Sequence, residues 1–114
     1  MQRRYTVFML LKATPQWQAL SAPERHAVLD ETLMFVFEGF PDVRLRYYDS
    51  EAFHGRCAGV AAWETSELPA YYELVAALRD TDFLARYFEV ADAIIGAEDG
   101  WRELERPMLS AAAV

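Results

Sequence analysis

Seven side chains of this chain have types and spacings suited to chemistry on an oxygenated compound: Arg44, Arg46, Tyr48, Asp49, His54, Trp63 and Glu64. Arg44, Arg46 and Tyr48 alternate with Val43, Leu45 and Tyr47 over 43–49. A period of two places successive members of the first set on one face of a strand, about 7 Å apart. Two guanidiniums and a phenol so placed would hold a carboxylate or an enolate oxygen. The structural reading of the same residues is a solvated sheet face, or an ion network between subunits with Glu64, Glu89 or Asp92. His54 stands in the connection that follows, near Asp49 and Glu51, and a carboxylate beside an imidazole makes a base working near neutral pH. A single imidazole in a loop is otherwise a solvent-exposed group. In an enzyme, Arg44 and Arg46 would stabilise anionic oxygen, Tyr48 would donate a hydrogen bond, and His54 with Asp49 would move a proton. Trp63 and Glu64 are adjacent, so one faces a cavity and the other faces away. The indole would stack an aromatic ligand in the first case and fill the core in the second.

Other chemistries find no support. Two histidines far apart and one cysteine offer no metal-ligand spacing, so no metal and no cofactor are expected, and His54 alone is a weak basis for haem. Cys57, followed by Ala58 and Gly59, reads as a small packing residue rather than a reactive thiol. There is no glycine-rich phosphate loop and no nucleophile elbow. Eleven Lys and Arg against 18 Asp and Glu give a net charge of -7, which opposes binding to nucleic acid. Arg3 and Arg4 precede a short apolar run at 7–11 that Lys12 closes, too brief for a signal peptide, and no segment approaches a membrane span. A cytoplasmic protein is expected.

The elements that must position these groups follow from apolar period. Strand character at 5–12 and 43–49 encloses a helical stretch at 22–40, and a similar strand-helix-strand unit follows over 60–95. The doubled βαβ predicts a ferredoxin-like βαββαβ fold of the α+β class: a four-stranded antiparallel sheet with both helices on one face. The first strand is apolar on both faces and is expected to be buried on both. Residues 14–20 read as a connection. Ser21 and Glu24 form a capping box for the first helix, whose stripe of Ala22, Leu29, Leu33, Val36, Phe37 and Phe40 should face the sheet, with Val28 and Phe35 forming a separate ridge on its flank. Ser66 should cap a second helix at 67–79 with Leu68, Tyr71, Leu74, Val75 and Leu78 on its inner stripe, and 83–87 should add one helical turn before a last strand at 88–95. Beyond it, a helical candidate near Trp101 and a stop at Pro107 form an extension. The 114 residues are expected to make one domain, with a core at about 4–96 and an extension at 97–114.

Several stretches resemble the darcynin family: the run Tyr5-Thr-Val-Phe-Met-Leu-Leu-Lys12, the strand and turn at 44–53, Trp63-Glu-Thr65, Leu78-Arg-Asp-Thr-Asp-Phe83 and Tyr87-Phe-Glu-Val90. The resemblance spans about 5–100. It implies a small bacterial protein and supports the fold, and it carries no catalytic residue. The pattern is also similar to dimeric α+β barrel proteins, in which two such sheets meet face to face; that group holds cofactor-free monooxygenases, isomerases, cyclases and haem enzymes. Together with the 54% hydrophobic and 14% aromatic content, this leads to an expected homodimer. It would bind, or act on, an oxygenated small molecule in a sheet-face cavity, bounded either by helices and sheet or by two sheets. The other reading is a non-enzymatic dimerisation or interaction protein.

Overall fold

In a computed structural model, which describes residues 4–97, β1 (Tyr5–Ala13) pairs with both β3 (Gly59–Thr65) and β4 (Phe88–Ala97), and β2 (Val43–Asp49) pairs with β3. All pairings are antiparallel and the strand order is β2-β3-β1-β4, the ferredoxin-like arrangement the sequence pattern predicts. The helices are α1 (Pro15–Gln18), α2 (Ala22–Gly39) and α3 (Leu68–Leu78), and a π-helical turn, Phe83–Tyr87, leads into β4. Register places Val7 opposite Trp63 and Met9 opposite Ala61, and all four are essentially inaccessible beneath the helices. Leu74 and Leu78 of α3 and Val36 of α2 close over them. Phe88 anchors the far end, with its ring centroid 4.4 Å from Trp17 and 5.0 Å from Phe83.

The local signals hold where hydrogen bonds are short in sequence. Ser21 N–H donates to Glu24 Oε1 at 2.9 Å and Glu24 N–H donates to Ser21 Oγ at 3.3 Å, so the capping box is complete. These bonds hold the Glu24 carboxyl below its ordinary pKa.

Four expectations need correction. Residues 14–20 contain a helix, capped where Trp17 N–H donates to Thr14 Oγ1 at 3.3 Å, and it is tied to the start of β4 by Thr14 N–H donating to Tyr87 O at 3.0 Å. Ser66 does not cap α3; the cap position is Glu67, whose N–H donates to Thr65 Oγ1 at 2.9 Å. The buried line of α2 runs through Thr32 and Val36, while Leu33 and Phe37 are 42% and 76% exposed. A threonine can hold that inner position because its hydroxyl donates to Val28 O at 2.9 Å and leaves no bare polar group. Finally, within one chain β1 is covered on one face only, since Phe8 on the other is 44% exposed. The helical candidate near Trp101 and the stop at Pro107 lie outside the described residues.

Candidate functional site

The face of the sheet away from the helices gathers four of the predicted residues in ordered rows. Register sets Arg44 beside Glu64 and Thr6, then Arg46 beside Ala62 and Phe8, then Tyr48 beside Val60 and Leu10. On the far side of β1, Ile94 stands next to Phe8 and Asp92 next to Leu10. The middle row thus runs from Arg46 on the β2 edge across Ala62 to exposed Phe8 and Ile94, at 44% and 55%, while Tyr48 at the edge of the next row is 51% exposed. Ala62 forms a low point between Arg46 and Phe8, because a methyl group stands beside two long side chains. Arg46 Nε lies 3.9 Å from Glu64 Oε1, an ion pair too long to be a hydrogen bond, and among the described residues Arg44 makes no ion pair. The arrangement offers two guanidiniums and a phenol to an anion whose body rests on the apolar band.

Trp63 belongs elsewhere. Register pairs it with Val7 and Leu45, both on the helix side, and it is fully buried with no hydrogen-bond partner for Nε1 among the described residues. Of the adjacent pair it is therefore Glu64 that faces the open side.

Asp49 and His54 are not brought together with Tyr48. Asp49 continues the column of Tyr47 on the helix side, and its Oδ1 accepts Glu51 N–H at 3.0 Å. The His54 ring is turned to its own loop, with Nδ1 accepting Arg56 N–H at 3.1 Å. The proton-moving pair expected from sequence proximity is absent because strand alternation sends Asp49 to one face while the turn after it carries His54 past the sheet end.

Residues passed over in the sequence build this end of the molecule. Arg25 lies 5.4 Å from the centre of the Trp17 ring, donates from Nη1 to Glu51 Oε2 at 3.1 Å, and reaches the carbonyls of Trp17 and Gln18, each at 3.3 Å. It ties α1, α2 and the β2–β3 loop beside a cleft of about 310 Å³ lined by His26, Tyr47 and Asp49. Burial, with Asp49 adding to it, pushes the Tyr47 phenol up to about 12. A second cleft of about 380 Å³ lies across the loop, between Lys12, Gln18, His54 and Arg56. Among the described residues no three of His, Cys, Asp and Glu gather as a metal site, and no helix is long and apolar enough to cross a membrane.

Comparison with known proteins adds the following. A family model described as "Darcynin, domain of unknown function" matches residues 1–112. A "Darcynin homolog" of Streptomyces avermitilis is 42% identical over 97 residues, 84% of this chain and 80% of that protein. "Darcynin 1" of Acinetobacter baumannii is 38% identical over 88 residues, 76% of this chain and 98% of the relative. Among solved structures, chlorite dismutase from Candidatus Nitrospira defluvii in complex with imidazole superposes with a TM-score of 0.67 at 22% identity, over 83% of this chain and 40% of that one. Its R173E mutant gives 0.65 at 24%, also over 83% of this chain and 40% of the other. This chain spans about two fifths of the length of those chains, and the likeness establishes the fold.

Proposed function

The chain belongs to the darcynin family, and within it we propose a homodimeric protein that binds an oxygenated organic anion at the open sheet face. Arg44, Arg46 and Tyr48 recognise its oxygens, Glu64 sets the geometry of Arg46, and a second copy covers the apolar band. The observation that carries this reading is the row Arg46, Ala62, Phe8, Ile94: a guanidinium at the strand edge, a low point beside it, and exposed apolar groups beyond. Such a surface suits a ligand with one anionic end and a flat apolar body. Binding is favoured over catalysis because His54 and Asp49 stand apart from this face, each bonded to a nearby backbone amide. The likeness to a chlorite dismutase solved in complex with imidazole supports small-molecule binding on this fold by analogy.

Titration of the full chain with benzoate, beside a thermal melt, tests the reading. Arg46→Met should weaken binding by roughly 1.5 to 3 kcal/mol, the worth of a charge-assisted hydrogen bond, with little change in Tm. Unchanged binding with a collapsed Tm would assign Arg46 to an ion pair between subunits and leave the interaction protein as the better account.

A further inference from the structure

The cleft at the end of the sheet, formed where the β2–β3 loop folds back over the last residues of β1, concentrates positive charge in a strongly acidic protein. Lys12 is the only lysine of the chain, and the formal charge is -7. Lys12 and Arg56 both line this cleft of about 380 Å³, and among the described residues neither makes an ion pair. Glu89 stands opposite Lys12 on β4 but beyond ion-pair distance. Glu51 also lines the cleft, yet its carboxylate is held by Arg25 at 3.1 Å, so its charge is already matched.

The remaining groups are donors as well. Because Arg56 N–H donates to His54 Nδ1 at 3.1 Å, the neutral imidazole carries its proton on Nε2, where it can donate outward. Gln18 brings an amide from α1. Cys57 does not compete, since its thiol donates to Gly59 O at 3.0 Å. The backbone of the turn is occupied too: Phe53 and His54 N–H both donate to Ser50 O at 2.9 Å. Lys12, Arg56, His54 and Gln18 are thus the cationic and donor residues that line the cleft.

We infer that this cleft is a second binding site, at the sheet end beyond the Tyr48 row, which takes a small oxyanion, a carboxylate or a phosphate, between Lys12 and Arg56, with His54 and Gln18 as donors. An ammonium supplies a compact charge and a guanidinium a planar fork, a combination that serves either oxyanion. Against the net negative field of the molecule, two cations without an acidic partner make this cleft locally favourable to an anion.

The test is titration of the full chain with inorganic phosphate and, separately, with citrate, followed by backbone amide shifts and repeated in added sodium chloride. Saturable shifts at Gln18, His54 and Arg56 that weaken with salt are expected, and whether phosphate or citrate binds more tightly identifies the oxyanion. Lys12→Met and Arg56→Met should each raise the dissociation constant about tenfold or more, Lys12→Arg should recover most of the loss, and Arg79→Met, which removes a cation away from the cleft, should leave it unchanged. Both substituted groups are exposed, and unchanged circular dichroism would confirm the fold of each variant. Absence of saturation with both anions, or equal weakening by Arg79→Met, would overturn the assignment.

Discussion

The two faces of the sheet come from the same strands, one residue out of step, and they meet opposite surroundings. On the helix side Val7, Met9, Leu11 and Trp63 are at most 1% exposed. On the other side Phe8 and Ile94, equally apolar, are 44% and 55% exposed. The first face is complete within one chain, because α3, α2 and the π-helical turn supply the facing layer. The second carries hydrophobic residues without a layer of its own, with its arginines and Tyr48 along the β2 edge. Hydrophobic area left open in this way is what the proposed ligand and second copy would cover. Stability should therefore be concentrated on one face, and recognition on the other.

The sharpest way to break that comparison is a pair of substitutions in facing directions. Trp63→Ala empties the centre of the helix-side core and should cost about 3 to 5 kcal/mol in denaturant unfolding. Phe8→Asp, one row away on the open face, should leave the fold of the chain largely intact and shift sedimentation from dimer to monomer. If the two cost the same in a monomeric protein, the open face is structural and the division of labour fails.

A smaller effect is expected at Gly59, where the ring of Tyr47 crosses the backbone. A Cβ built there would come within 2.6 Å of Tyr47 Cζ, far inside van der Waals contact. Gly59→Ala must displace the phenol and should cost roughly 1 to 3 kcal/mol, the usual range for overpacking. Restoration of stability in the double variant Gly59→Ala, Tyr47→Leu would confirm the steric cause, whereas an undiminished loss would point to the backbone.

How far the sequence reveals this arrangement depends on the range of the interactions involved. Strand alternation alone assigns Arg44, Arg46 and Tyr48 to one face, because their order needs no partner. Choosing between Trp63 and Glu64 requires knowing that Trp63 stands opposite Val7, a pairing across more than fifty residues. The phase of α2 is obscured because apolar residues surround the helix, with Leu33, Phe35 and Val36 consecutive or nearly so, and the inner position falls to Thr32 through a hydrogen bond that composition does not advertise. His54 and Asp49 are close in sequence yet turned apart by the turn between them. The oxyanion cleft is invisible for a related reason: Lys12, Gln18 and Arg56 meet only after α1 has docked and the β2–β3 loop has closed.

The subtlest difference between the faces lies in two neighbouring tyrosines. Tyr48 opens to the outside, while Tyr47 points to the helix side, where burial first and the Asp49 charge second raise its pKa to about 12 from the ordinary 10.0. A phenol whose folded-state pKa is raised keeps its proton where the unfolded chain has released it. Between pH 10.0 and about 12 the folded state thus binds more protons than the unfolded state, and stability must fall as pH rises. The contribution is fully present below pH 10.0 and disappears on approach to about 12. Tyr47→Phe cannot ionise, so its urea midpoint should decline less steeply across that window than the parent's, even where its stability at neutral pH differs little. Midpoints measured at half-unit steps decide the matter: parallel alkaline slopes for parent and variant would mean that Tyr47 is as well solvated in the folded chain as in the unfolded one. The end of β2 would then be open on both sides.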